Sequence, residues 1–170
     1  MVLVPVRYSF TQRFSVPAAE AFAWSVDYDP DDFSLMGLKG RRAVEKLSDD
    51  TFILKDSGET DEGVVVNKTR LVRLNPERLS FINTHIAGPT LHSQYWYEFF
   101  AEGSGGSRLE FTGLLLHRSE EDLSPREVSG IAAKERKGDS KAWKKLAKAM
   151  ESDYKKSKGR ARPSRAPKRS

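Results

Sequence analysis

The chain of 170 residues carries 29 Lys or Arg against 24 Asp or Glu, contains no cysteine, and has no apolar run near the roughly 20 residues that a membrane span needs. A disulfide framework, a thiol nucleophile and a thiolate zinc site are therefore excluded. The net charge of +5 belongs to the C-terminal end: residues 155–170 hold eight Lys or Arg and no acid, which leaves 21 basic against 24 acidic groups elsewhere.

Met1–Arg7 is too short, and too quickly interrupted by Pro5 and Arg7, to serve as a signal peptide, so a cytoplasmic protein is expected. From Tyr8 to Val16, Tyr8, Phe10, Gln12, Phe14 and Val16 alternate with Ser9, Thr11, Arg13 and Ser15, the period of a half-buried strand. Pro17 suits the first position of a helix whose inner face holds Ala18, Phe22 and Val26. Asp29-Pro30-Asp31-Asp32 starts a second short helix, capped by Asp29 and stopped by Gly37 and Gly40.

Six strands follow: Arg42–Leu47, Thr51–Asp56, Val64–Leu74, Leu79–Ala87, Leu91–Ala101 and Arg108–Arg118. The breaks between them hold Asp, Asn, Pro, Ser and Gly, the residues that supply unusual φ angles or local side-chain hydrogen bonds. Short connections make the sheet an antiparallel meander. Ser124-Pro125-Arg126-Glu127 is a capping box that opens a long helix. Val128, Ile131, Ala132, Trp143, Leu146, Ala147, Met150 and Tyr154 recur along that helix at helical spacing, and Gly138-Asp139-Ser140 is expected to kink or break it. The fold class is thus α+β, with a seven-stranded antiparallel sheet curled around the C-terminal helix. Residues 1–156 form the domain, and 157–170 form a disordered basic tail.

This order resembles the helix-grip superfamily of START, polyketide cyclase/dehydrase and birch-pollen-allergen-like proteins (SRPBCC) over roughly residues 8–156. The resemblance rests on Ser15-Val16-Pro17-Ala18-Ala19-Glu20-Ala21-Phe22 and on the hairpin from Tyr97-Glu98-Phe99-Phe100 through Gly103-Ser104-Gly105-Gly106 to Arg108-Leu109. It implies a cavity for a lipid, quinone or polyketide-like molecule. It transfers no catalytic residue, because the superfamily shares no catalytic signature.

Strand register follows from keeping apolar residues opposite one another, since a slip of one residue inverts every side chain. Leu74 then pairs with Leu79 and Val72 with Phe81; Phe81 pairs with Tyr97; Phe99 pairs with Phe111, and Tyr97 with Gly113, where the missing side chain leaves space. One face becomes an apolar zone of Val72, Leu74, Leu79, Phe81, Tyr97, Phe99, Leu109 and Phe111. Beyond it lies a polar zone of Lys68, Arg70, Asn83, His85, Ser93, Tyr95 and His117. This gradient suits an amphipathic ligand with an anionic or hydrogen-bonding head. It also suits a core against the helix with a solvated rim, Lys68 or Arg70 pairing with Glu135 or Asp139. The opposite face, with Leu71, Ile82, Ile86, Trp96, Phe100, Leu114 and Leu116, is apolar enough to suggest an interface, such as a homodimer.

His85 and His117 lack a third ligand in their row, so no metal is expected. No acid orients the histidines flanking Ser93, and no cofactor motif occurs. The expected function is non-enzymatic binding or carriage of a hydrophobic or amphipathic small molecule. A cyclase, dehydratase or hydrolase using His85, His117 or Tyr95 is the alternative. The tail reads equally as a solubilising terminus or as a nonspecific electrostatic contact for nucleic acid or anionic lipid.

Overall fold

A computed structural model describes residues 1–28, 32–36, 39–59 and 63–159. Strand β1 (Val2–Phe14) is followed by helices α1 (Ala18–Ser25) and α2 (Asp32–Leu35). Strands β2 (Lys39–Lys46), β3 (Thr51–Glu59), β4 (Val65–Asn75), β5 (Ser80–Ala87), β6 (Gln94–Glu102) and β7 (Gly106–Ser119) lead to α3 (Pro125–Gly159). All pairings are antiparallel, in the order β1-β7-β6-β5-β4-β3-β2. The seven-stranded sheet, the two short helices and the long terminal helix agree with the reading from sequence. The caps expected at Asp29 and Gly37 lie outside the described residues.

Strand β1 begins well before Tyr8, and Val2–Phe14 pairs with β7 along its whole length. Pro5 is tolerated because β1 is an edge strand, where the ring's missing N–H removes no bond from the sheet interior. The capping box forms as expected: Ser124 N donates to Glu127 Oε2 at 2.8 Å, and Glu127 N donates to Ser124 Oγ at 3.3 Å. The expected break at Gly138 does not occur, and α3 is one continuous helix. It also runs past Lys156, so residues 157–159, assigned to the tail from sequence, are helical.

The inner face of the sheet is the expected one, but two of its three inferred registers are shifted by two residues. Leu74 pairs with Phe81, and Arg70 with His85. The cause is Leu79, which takes a left-handed conformation (φ 48°) after the 3-10 turn Pro76–Arg78 and so leaves the strand. Phe99 pairs with Leu109 and Tyr97 with Phe111, because Gly103 (φ 61°) and Gly105 (φ 93°) close the hairpin within three residues. The pairing of Phe81 with Tyr97 and Asn83 with Tyr95 is as inferred. A shift of two keeps each side chain on its face, which is why the faces survive the error. Gly113 consequently lies opposite Tyr95 and Tyr8. It leaves no free space, since a Cβ there would meet the Tyr8 ring at 2.8 Å.

The core joins the inner face to α1 and α3. Trp143 packs against Phe14, Tyr97 and Phe99, and Phe22 against Phe81 and Phe99. Phe111 is buried between Tyr8, Phe10, Tyr95 and Tyr97. No helix among the described residues is long and apolar enough to cross a membrane.

Candidate functional site

Where α3 leaves the β3–β5 part of the sheet, a cavity of about 430 Å³ opens. Its sheet wall carries Tyr8, Asp56, Lys68, Arg70, His85, Tyr95 and Tyr97. Its helix wall carries Phe33 of α2 and Met36 just after it, with Glu135, Asp139, Trp143 and Leu146 of α3. A smaller recess of about 120 Å³ adds Trp24, Tyr28, Phe81 and Asn83 and shares Arg42, Arg70, Tyr97, Trp143, Met36 and Leu146 with the larger one. The larger volume falls in the range that holds a small organic ligand.

The strands supply this lining through their alternation. Arg42 on β2 faces Asp56 on β3, which faces Lys68 on β4; Leu54 faces Arg70, which faces His85. Between Thr69 and Arg70 the pairing with β5 slips at a bulge. Gly88 beyond it brings its backbone so close that a Cβ would lie 2.6 Å from Asn67 O. Gly40 works in the same way for α2, since a Cβ there would strike the Phe33 ring at 2.7 Å.

A network of charge surrounds Asp56. Arg42 Nε donates to Asp56 Oδ1 at 2.7 Å, Arg42 Nη1 donates to Asp32 Oδ2 at 2.6 Å, and Arg70 Nη2 donates to Asp56 Oδ2. Burial pushes the Asp56 carboxyl up, but the two guanidinium groups outweigh it and hold the carboxylate below its ordinary range. Two arginines are thus matched by two carboxylates. The Lys68 side chain, paired only through its backbone to β3, makes no hydrogen bond or ion pair among the described residues. The ion pair considered from sequence, Lys68 or Arg70 with Glu135 or Asp139, is not found among the described residues; Arg70 pairs with Asp56 instead.

On the helix side, Asp139 Oδ2 accepts a hydrogen bond from the Tyr8 hydroxyl at 2.7 Å. Burial raises the Asp139 pKa, and Glu135 adds to the rise. Burial also raises the Tyr95 hydroxyl to about 12. His85 is depressed to about 3 by burial and by the charges of Arg70 and Lys68, so its ring is neutral at pH 7. Its Nδ1 lies 2.6 Å from Thr90 Oγ1.

Among the described residues, three buried side-chain polar atoms have no hydrogen-bond partner: Tyr28 Oη, Arg70 Nε and Asn83 Oδ1. All three residues line the smaller recess. Buried polar groups in folded proteins are nearly always paired, with protein or with ordered water, so these three atoms call for partners within the recess.

Of the residues expected from sequence, Lys68, Arg70, His85, Tyr95 and Tyr97 line the larger cavity, and Phe81 and Asn83 line the recess. Phe99 and Phe111 are core. Ser93 is fully buried, and its Oγ accepts from Leu116 N at 2.9 Å, an architectural bond. His117 lies opposite Val4 towards the end of β7, away from both cavities. Sequence reasoning missed Tyr8, Tyr28, Arg42, Asp56 and Asp139. For Asp139 a signal existed: with Trp143, Leu146 and Met150 it keeps the i, i+4, i+7, i+11 spacing of the inward helix face.

No protein-family model matches the sequence, and no curated protein matches it. Solved structures do match in shape. Over 87% of this chain and 94% of the other, it superposes on the Zhui aromatase/cyclase of Streptomyces sp. R1128 with a TM-score of 0.70 at 12% identity. Ara h 8.0201 gives 0.66 at 15% identity over 88% of this chain and 99% of that one. The di-domain aromatase/cyclase StfQ of the steffimycin biosynthetic pathway gives 0.72 at 10% identity over 89% of this chain and 52% of that chain. These likenesses establish the fold: the chain has the helix-grip fold of the polyketide cyclases and Bet v 1-like proteins.

Proposed function

We propose that the protein binds a neutral amphipathic small molecule in the cavity between α3 and the sheet, and that it does so without chemistry. The carrying observation is the trio of unpaired buried atoms in the recess. Arg70 Nε–H needs an acceptor, Asn83 Oδ1 needs a donor, and the Tyr28 hydroxyl serves as either. A ligand head that is both donor and acceptor satisfies them: a hydroxy-ketone, an enol, a phenol or a primary amide. The sequence alone left open an anionic head. The charges argue against it, because Asp56 and Asp32 already balance Arg42 and Arg70 at the recess. Burying a further carboxylate at the recess would lack a counter-charge, since Lys68 lines the larger cavity and not the recess. The aromatic rings of Phe81, Tyr97 and Trp143 provide the apolar part of the site.

Acid–base chemistry finds less support. A general acid or base works best with a pKa near the operating pH. His85 lies near 3 and Tyr95 near 12, far to either side of it. One observation favours a cyclase or dehydratase, namely Asp139, a buried carboxyl in the cavity wall with a raised pKa. Its partner is the Tyr8 hydroxyl, however, whose own pKa is raised by burial, so the pair is poorly suited to releasing a proton.

The test is a titration of a medium-chain primary amide and of the carboxylate of equal chain length, followed by fluorescence of Trp24 and Trp143. The amide should bind and the carboxylate should bind more weakly at pH 7. Asn83→Leu should weaken the amide by about 1–3 kcal/mol, the cost of a lost buried partner, and leave the carboxylate little changed. Tighter binding of the carboxylate, or no binding of either, would refute the reading.

A further inference from the structure

Outside the cavity, the exposed side of α3 carries an unusual distribution of charge. Lys134, Lys137, Lys141, Lys144, Lys145 and Lys148 are all exposed. At 3.6 residues per turn they fall within an arc of about 100° and run about 21 Å along the helix. Within residues 134–148 that arc contains lysine only. The acids of the same helix point elsewhere. Asp139 meets Tyr8, Glu135 lines the cavity, Glu151 accepts from Ser15 N at 2.7 Å, and Asp153 accepts from Trp24 Nε1 at 3.1 Å.

A face that serves only solubility interleaves both signs, because like charges at i,i+3 and i,i+4 repel. Here lysines repeat at those spacings, and within residues 134–148 no acid stands in their arc to relieve the repulsion. Among the described residues Lys145 alone of the six has a partner, donating from Nζ to Met36 O at 2.9 Å. The row contains no arginine to fork onto a base and no aromatic ring to stack on one. It is a line of mobile point charges suited to a dense anionic surface.

The contact at Met36 also fixes what lies beside the row. Met36 follows α2, and with Phe33 it closes the cavity. The neighbouring Leu35 is a large apolar side chain left 38% exposed. A surface resting on the lysines therefore meets the element that covers the cavity. We propose that the lysine row of α3 is a docking surface for an anionic lipid bilayer. The choice of a bilayer over a nucleic acid rests on the cavity reading, since a bilayer both carries the charge and dissolves an apolar cavity ligand.

The experiment compares the full-length protein with a variant carrying Lys137→Glu, Lys141→Glu, Lys144→Glu and Lys148→Glu, and with the matching set of Lys→Gln changes. Each is sedimented with vesicles of phosphatidylcholine alone or mixed with phosphatidylglycerol, and titrated into a short DNA duplex. The parent should bind only the mixed vesicles, and less as salt rises. The Glu set should lower that binding at least about tenfold, given the contribution of each lysine near a charged membrane, and the Gln set should lower it less. The basic stretch after Gly159 is intact in every variant. Equal binding by parent and variants would therefore place the interaction in that stretch and overturn the proposal. Absence of vesicle binding, or tighter binding of the duplex, would overturn it as well. Uptake of the neutral amphiphile should be the same in the Glu set as in the parent. Its loss from both, with vesicle binding still dependent on the lysines, would sink the cavity reading and leave the docking surface standing.

Discussion

At Asp139 the carboxyl accepts from Tyr8 while facing a cavity wall that strips it of water. The folded protein therefore holds this proton to higher pH than the unfolded chain does, where the group titrates near the ordinary 3.8 of an aspartate. Stability from this group is fully present at low pH and is lost as pH rises through the raised pKa. His85 acts in the other direction. Its folded pKa near 3 lies below the unfolded value of 6.5, so stability falls as pH drops from 6.5 towards 3. Asp139→Asn keeps a neutral acceptor for Tyr8 and removes only the first effect. The variant should gain on the parent as pH rises from about 4 to 7, measured by urea melts at each pH. Asp139→Leu should instead cost about 1–3 kcal/mol by stranding the Tyr8 hydroxyl. A parent-to-Asn difference that does not change with pH would show that Asp139 titrates normally. From sequence, Asp139 stood as part of a supposed interruption, because Gly138 beside it drew the reading towards a break, and as an ion-pair partner for Lys68 or Arg70 rather than for Tyr8.

The elements themselves were largely legible. Period-two alternation gave the strands, the capping box gave the start of α3, and the spacing of Trp143, Ala147 and Met150 gave its buried face. Register was not legible at two hairpins, because it depended on backbone conformations that pattern does not reveal. A leucine at φ 48° in one turn, and two left-handed glycines closing the other in three residues, each moved the pairing by two. The faces held because two is the period of a strand. The packing of α3 sharpens a stability prediction. Met150 is 1% exposed, whereas Leu146 is only partly buried and lines both cavities. Met150→Ala should therefore cost about 2–5 kcal/mol, and Leu146→Ala about 1 kcal/mol, read from urea unfolding at constant m-value. Equal costs would mean that α3 seats on the sheet differently from the contacts described above.

At the scale of the whole molecule, a sheet of seven strands offers more concave face than one helix covers. The core fills the β1, β7 and β6 side, and the cavity remains towards β3, β4 and β5. The element order foretold that cavity, whose wall carries Lys68, Arg70, His85, Tyr95 and Tyr97 among the residues proposed to meet a ligand. Its charge balance was hidden, since the compensation of Arg70 by Asp56 involves Arg42 and Asp32 from segments read only as a strand and a cap. The central claim is that this space holds a neutral amphipathic molecule. Native mass spectrometry of freshly purified protein tests it most directly, alongside Ala142→Phe, which fills the cavity from the half-buried α3 wall. The parent should show a population a few hundred daltons above the 19.2 kDa chain, lost on denaturation and much reduced in the variant. A parent that carries no such molecule, and takes up none from an added set of neutral amphiphiles, would contradict the account.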